Sequence, residues 1–153
     1  MRIPLLILEE RIQVSSILKC PGFRIYGQVL FIFDTGSPLT ILSEGTALKL
    51  QVPLNRLRDA PDEKKHIYMG GSVSELKIIP KEVEIGFKND KEGMEYLKLP
   101  NLCVAIGTKK DDKHKQISQG SPSILGLDFL KEQKLLLHVD PTKELAYLEK
   151  SEK

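Results

Sequence analysis

The residues best suited to chemistry lie in one short motif, Asp34-Thr35-Gly36-Ser37, between two apolar runs at residues 31–33 and 39–42. Burying a carboxylate beside phenylalanines costs several kcal/mol unless the group is hydrogen-bonded or neutralised. The neighbouring hydroxyls can donate such bonds, and the glycine permits a sharp turn with an accessible backbone N–H. Asp, Gly and Ser are also ordinary turn residues, so this tetrapeptide alone is usually only a turn. The apolar runs on both sides favour a buried functional acid.

Four segments, in order along the chain, resemble the retropepsin-like aspartic peptidases. The first is the apolar strand that enters Asp34-Thr35-Gly36-Ser37, and the second is a hairpin at the place of the family's flap, His66-Ile67-Tyr68-Met69-Gly70-Gly71-Ser72. The third is Ile124-Leu125-Gly126, which leads into a short helix, and the fourth is a final strand at residues 135–139 with a terminal hairpin. The match covers roughly residues 23–149, as the core of a single domain that spans residues 1–153.

The resemblance implies an aspartic endopeptidase that is active as a homodimer and acts on extended polypeptide. The family's reaction needs two carboxylates that face each other across one water, and this sequence has a single Asp-Thr-Gly. A second copy of Asp34 would therefore come from a second chain, because a two-fold contact places each residue opposite itself. The chain ends, residues 2–8 and 145–148, are candidates to interleave between the subunits.

Roles for individual residues follow from the same resemblance. Asp34 would be catalytic, Thr35 would join the two loops across the dimer axis, and Ser37 would hydrogen-bond the outer carboxylate oxygen. Gly36 would complete the loop. The flap that binds substrate would comprise Tyr68, Met69, Gly70, Gly71 and Ser72, and the structural motif before the helix would comprise Ile124, Leu125 and Gly126.

The mechanism expected for such a pair follows from electrostatics. Two carboxylates about 3 Å apart repel by roughly 5 kcal/mol at an effective dielectric near 20. This separates their two ionisations by several pKa units, so the pair holds one proton over a broad pH range. The ionised member can deprotonate a water while the protonated member polarises the scissile carbonyl. No metal or other cofactor is expected.

The surrounding elements predict an all-β fold, a closed barrel or sandwich of the acid-protease type with one or two short helices. Residues 23–33 place apolar side chains at alternate positions, the period of a strand with one buried face. Ser43 is a candidate cap for a helix over residues 44–50. Residues 66–69 and 73–79 flank a glycine pair and predict a hairpin, whereas the charged residues 109–119 predict a solvated loop.

Composition excludes several other classes of protein. Lys and Arg number 23 against 21 Asp and Glu, giving a net charge of +2, which argues against nucleic acid or an anionic membrane as partner. The apolar run at residues 5–8 is too short for a signal peptide or a membrane span, which favours a cytoplasmic protein. Cys20 and Cys103 are expected to be free thiols, and the three histidines show no metal-ligand spacing.

Two alternatives remain open at this point. Asp128 follows Gly126 closely and resembles a second acid, but its helix-like context favours a structural role. The whole domain also fits a non-catalytic peptide-binding or regulatory module that keeps the retropepsin fold without its activity.

Overall fold

The computed structural model describes residues 1–69 and 71–151. Within these ranges the chain forms thirteen strands and three short α-helices. The strands are β1 (Arg2–Leu8), β2 (Arg11–Cys20), β3 (Ile25–Phe33), β4 (Ile41–Leu42), β5 (Arg58–Asp59), β6 (His66–Met69), β7 (Ser72–Ile78), β8 (Val83–Lys88), β9 (Met94–Leu99), β10 (Cys103–Gly107), β11 (Ser123–Leu125), β12 (Leu135–Asp140) and β13 (Leu145–Lys150). The helices are α1 (Glu44–Lys49), α2 (Asp112–Gly120) and α3 (Leu127–Gln133).

The strands join into one mixed sheet, so the all-β prediction is confirmed. The hydrogen-bonded path runs β12-β13-β1-β2-β3-β11-β4-β10-β7-β5, with β6 paired to β7 and with β8 paired to both β2 and β9. This path is open, with β12 at one end and β5 at the other, rather than closed on itself as expected. None of the helices in the described ranges is long and apolar enough to cross a membrane.

The main core follows from the alternation in β2 and β3. These strands pair antiparallel from Gln13↔Ile32 to Cys20↔Ile25, and the apolar side chains of β3 that were expected to face inward are buried. Phe87 and Phe129 meet in this core with ring centroids 5.8 Å apart. The core therefore anchors α3 against the sheet directly after the third sequence motif.

A second, smaller cluster lies at the other end of the sheet and is called the minor core below. Its buried members are Ile41, Ala60, Leu76, Ile78, Cys103 and Ala105, with Leu39 and Ile67 packed against them. The minor core forms the floor beneath the β6–β7 hairpin, because Leu76 and Ile78 belong to β7 and Ile67 to β6.

The predicted solvated loop at residues 109–119 is wrong, because most of it forms α2. Asp111 caps this helix and accepts a hydrogen bond from the N–H of His114 at 3.0 Å. The segment is polar because the helix is largely exposed, with Ser118 as its buried residue. A helix that buries so little carries no apolar period for sequence analysis to detect.

The two chain ends pair with each other within the chain. β13 pairs with β12 on one edge and with β1 on the other. It therefore has no free edge for a second chain, contrary to the interleaving expected of residues 145–148. The outer edge of β12, by contrast, pairs with no strand of the described ranges.

Candidate active site

Asp34 lies where β3 ends and a tight loop begins. β11 runs parallel to β3 and places Leu125 beside Phe33. The backbone N–H of Asp34 continues this ladder and donates to the carbonyl of Leu125 at 3.0 Å. Two motifs that are far apart in the sequence, Asp34-Thr35-Gly36-Ser37 and Ile124-Leu125-Gly126, are therefore neighbours in the sheet.

The Asp34 loop is a turn closed by its own hydrogen bonds. The N–H of Ser37 donates to the carbonyl of Asp34 at 3.0 Å. The N–H of Gly36 donates to Oδ1 of the Asp34 carboxylate at 2.9 Å. The carboxylate is thus oriented by the backbone of its own loop, while Oδ2 accepts no hydrogen bond from any described residue.

Two expectations about this loop are not met within the single chain. The side chain of Asp34 is exposed rather than buried. The hydroxyl of Ser37 donates to the carbonyl of Leu39 at 2.7 Å and not to the carboxylate, since Ser readily satisfies a nearby backbone group. Thr35 is exposed and bonds to no described residue, so its role across a dimer axis stays a prediction.

Gly126 lets the start of α3 approach the Asp34 loop closely. A Cβ atom at this position would lie 2.4 Å from the carbonyl oxygen of Leu39 and 2.7 Å from that of Ser37. The loop carbonyls instead accept hydrogen bonds from α3, from Leu127 N–H to Ser37 at 2.9 Å and from Asp128 N–H to Pro38 at 3.2 Å. The glycine is required by this contact, which ties the loop to the helix.

Thr40 is a site residue that sequence analysis missed. Its hydroxyl accepts a hydrogen bond from the N–H of Gly126 at 3.1 Å and donates to Oδ1 of Asp128 at 2.7 Å. The same carboxylate oxygen accepts from the N–H of Phe129 at 2.7 Å. Asp128 therefore secures the first turn of α3, which supports the structural role expected of it. The available signal was a hydroxyl within the apolar run 39–42.

The hairpin predicted from the glycine pair is formed by β6 and β7. Tyr68 lies opposite Val73 and Met69 opposite Ser72, and Gly71 has a φ of +86° that favours glycine. Tyr68 is 79% exposed, whereas Ser72 is buried and its hydroxyl has no hydrogen-bond partner among the described residues. Gly70 and the side chain of Met69 lie outside the described residues.

A cleft of about 260 Å³ separates the Asp34 loop from this hairpin. The residues lining it are Asp34, Gly36, Ser37, Pro38, Ile41, Ile67, Tyr68 and Ile124. It therefore brings together members of three predicted groups, the catalytic motif, the flap and the segment before α3. Ile41 and Ile67 join them from the minor core. Ile67 belongs to the hairpin segment and Ile41 to the apolar run at residues 39–42, but no local pattern marks either as a cleft residue.

The similarity of this chain to known proteins is one of fold. No family model matches the sequence, and no curated protein matches it. Among solved structures, a retropepsin-like aspartic protease from Rickettsia conorii is similar, with a TM-score of 0.55 and 16% identity over 97% of this chain and 89% of that chain. The chain has an acid-protease-like all-β fold.

The cleft in one chain supplies one carboxylate and little else that is reactive. Asp34 is the only acid that lines the cleft among the described residues. Ser37 has no base beside it, since its hydroxyl bonds to backbone groups. The arrangement fits chemistry in which a carboxylate handles a proton, and it fits a serine nucleophile poorly.

The two cysteines are free and buried, as expected. Burial raises the pKa of the Cys103 thiol to about 11, so this thiol is protonated near neutral pH and is a poor nucleophile. No group of three or more His, Cys, Asp or Glu that could hold a metal ion occurs in residues 1–69 and 71–151.

Proposed function

We propose that this protein is an aspartic endopeptidase that hydrolyses peptide bonds in extended polypeptide, with an active site assembled from the Asp34 loops of two identical chains. The observation that carries the proposal is the position of Asp34, which lies in a cleft below a β-hairpin and is oriented by Gly36 N–H. Similarity to a retropepsin-like aspartic protease supports the fold on which this chemistry depends.

The proposed reaction needs a second carboxylate because a single ionised Asp can accept a proton but cannot also donate one. Two facing copies of Asp34 repel each other, and the pair therefore retains one proton over a wide pH range. One member takes a proton from water while the other donates a hydrogen bond to the substrate carbonyl. The exposed, unpaired Oδ2 of Asp34 is available for this contact in the isolated chain.

The surface next to the Asp34 loop is suited to a second copy of the chain. A groove of about 810 Å³ adjoins the loop through Pro38. Four leucines of α3 and β12 line it together with three lysines, namely Leu127, Leu130, Leu135, Leu136, Lys64, Lys131 and Lys134. Leu127 is 46% exposed and Leu136 is 49% exposed on this surface. Exposed apolar side chains clustered beside an unpaired strand edge are typical of a contact surface.

The hairpin supplies the groups that an extended peptide needs. The open side of β6 carries unpaired backbone groups, because β6 pairs only with β7 in the described ranges. A peptide in the cleft would add a strand there, with the apolar Ile41, Ile67 and Ile124 beside its side chains. This geometry favours polypeptide substrates over compact small molecules.

The decisive experiment compares wild type with Asp34→Asn on unfolded casein between acid and neutral pH. Asp34→Asn keeps the shape and removes the ionisable group, so proteolysis should fall by at least about 10³-fold. Asp112→Asn is the matched control, because Asp112 is exposed on α2 and makes no contact with the cleft. Equal proteolysis by wild type and Asp34→Asn would rule the proposal out.

The non-catalytic alternative predicts a different result. A peptide-binding module would bind fluorescein-labelled casein peptides without cleaving them, and Asp34→Asn would leave both results unchanged. Fluorescence anisotropy measured beside the cleavage assay therefore separates the two functions.

A further inference from the structure

A second cavity, of about 410 Å³, lies beside the cleft and is called the distal cavity here. The residues lining it are Leu39, Arg58, Asp59, Ala60, Pro61, Lys64, Ile78, Asn101 and Cys103. Its floor is the minor core, which also supplies Ile41 and Ile67 to the cleft that holds Asp34. The two spaces therefore share one apolar floor.

A row of paired residues connects the two spaces across five strands. Ile124 lies opposite Ile41, Ile41 opposite Cys103, Cys103 opposite Ile78, and Ile78 opposite Arg58. Four strand spacings of about 4.8 Å give roughly 19 Å from Ile124 to Arg58 along this row. The row begins in the Asp34 cleft and ends at a cation on the rim of the distal cavity.

The Asp34 loop connects the same two spaces by a shorter route. Gly36, Ser37 and Pro38 line the cleft, and the next residue, Leu39, lines the distal cavity. Three residues span at most about 10 Å.

Tyr68 of β6 lies opposite Val73 and Arg58 of β5 lies opposite Ile78, along the same edge of β7. A peptide added beside β6 runs in this direction and would advance about five residues, or roughly 17 Å, from the level of Tyr68 to that of Arg58. It would therefore reach the distal cavity about three to six residues from its scissile bond.

The charged groups around the distal cavity favour an anion. Arg58 donates from Nη2 to the side-chain oxygen of Asn101 at 3.1 Å, which holds the guanidinium while leaving other N–H groups free. Lys64 forms no ion pair with any described residue. The acid lining the cavity, Asp59, is already paired with Lys77 at 2.5 Å, a contact that holds the pKa of Asp59 below its usual range.

Further carboxylates lie nearby or act on the lining. Asp128 acts on the Cys103 thiol, but its carboxylate accepts hydrogen bonds from Thr40 and from the N–H of Phe129. Lys77 lies 3.6 Å from Glu75, so one lysine serves two carboxylates. Asp62 and Glu63 belong to the turn that carries Lys64 but do not line the cavity. Of the charged side chains that line the cavity, two have no acidic partner in the described part of the chain, Arg58 and Lys64, and both are cations.

We propose that the distal cavity is a specificity subsite that takes an acidic side chain of the polypeptide substrate, three to six residues from the bond that is cleaved. The aliphatic stem of an Asp or Glu packs on the minor core while its carboxylate meets Arg58 and Lys64. Because a two-fold dimer carries two such cavities, the preference applies on both sides of the bond. This inference rests on the proposed peptidase function.

The test begins with dephosphorylated casein digested by wild type and by the double variant Arg58→Glu/Lys64→Glu. Mass spectrometry of the products gives the residues around each cleaved bond. Wild type should show Asp and Glu enriched at three to six residues from the bond, and the double variant should lose this enrichment and gain Lys or Arg there. The control is Lys109→Glu/Lys113→Glu, which changes net charge equally on exposed residues outside both cavities.

Synthetic peptides then give the size of the effect. A cleaved casein sequence is compared with its Asp→Asn or Glu→Gln copy at the enriched position. The acidic peptide should have a kcat/KM about 3- to 10-fold higher, chiefly through KM, and the difference should shrink at high salt. If the double variant folds poorly, Arg58→Gln should give a smaller loss with the same salt dependence.

The outcomes separate this inference from the function on which it rests. One outcome is cleavage that depends on Asp34 but shows no preference for Asp or Glu at three to six residues from the bond, in wild type and in the double variant. This outcome overturns the proposed subsite and leaves the proposed peptidase function standing. Absence of Asp34-dependent cleavage overturns the peptidase. In that case, anisotropy with labelled acidic casein peptides and their Asp→Asn and Glu→Gln copies still shows whether the distal cavity selects an acid.

Discussion

At the scale of single residues, Gly126 and Thr40 determine where Asp34 lies, although neither has reactive chemistry of its own. Gly126 permits backbone contact between α3 and the loop, and the Thr40 hydroxyl links that contact to Asp128. The position of the carboxylate therefore depends on groups distant in sequence from the Asp-Thr-Gly motif. This is the structural reason why the motif alone resembles an ordinary turn.

Replacing Thr40 with valine should destabilise the protein by about 1–3 kcal/mol, because a buried N–H of Gly126 loses its acceptor while shape is kept. Thr40→Ser is the matched control, since it keeps the hydroxyl and removes only a methyl worth about 0.8 kcal/mol. Urea unfolding measures the free energy of unfolding of both variants. A valine variant as stable as the serine variant would show that the hydroxyl is dispensable.

The sequence was informative about Asp34, Leu125 and Gly126 because their local patterns are distinctive. It was not informative about Thr40, or about which apolar residues line the cleft, namely Ile41 and Ile67. The roles of these three residues depend on partners that are distant in sequence and that the sheet brings close. It also overestimated the burial of Asp34, since an apolar strand predicts burial for its own side chains but not for the loop after it. The exposure of a loop depends on which other elements pack against it, and the local sequence of the loop does not specify them.

At the scale of elements, β3 and α1 were predictable and α2 was not. Alternation in β3 and the Ser43 cap are local signals, and the structure has that cap, with Ser43 accepting from the N–H of Thr46. The helix α2 is held instead by a distant contact, in which Ser118 donates to Glu44 Oε2 at 2.7 Å. No local pattern in the charged segment predicts Glu44 as the partner of Ser118.

Ser118→Ala should therefore destabilise the protein by about 1–3 kcal/mol, because the Glu44 carboxylate, 7% exposed, loses this donor. Any gain in helix propensity from alanine is smaller, about 0.5 kcal/mol. Gln116→Ala, at an exposed position of the same helix, is the control and should be nearly neutral. Equal stability of the two variants in urea would show that α2 packs on α1 without this bond.

At the scale of the whole molecule, pairing of the chain ends determines which surface remains open. β13 is paired on both edges, whereas the outer edge of β12 pairs with no described strand. The groove by Leu127 and Leu136 adjoins the Asp34 loop through Pro38. A second copy placed on this surface would bring a second Asp34 loop nearby, which the proposed chemistry requires. Interleaving of the chain ends would instead have needed a free edge of β13, and both edges of β13 are already paired within the chain.

Mixing wild type with Asp34→Asn tests whether the active unit contains two chains. If equal amounts are unfolded together in urea and refolded, random pairing leaves about a quarter of the dimers with two intact loops. Activity should then fall to about half of that from the same amount of wild type refolded alone. A monomeric enzyme would keep its full activity, because each wild-type chain would act independently.

The control for this experiment is a variant that lacks the acid and also cannot pair. Leu136→Lys combined with Asp34→Asn places a charge in the apolar groove, so it should refold as a monomer and leave wild-type activity unchanged. Leu48→Lys combined with Asp34→Asn should still suppress, since Leu48 is equally exposed on α1 but lies outside the groove. If both double variants suppress wild-type activity, the groove is not the contact between the chains. If Asp34→Asn and Leu48→Lys/Asp34→Asn both leave wild-type activity unchanged, the active site is not shared between two chains.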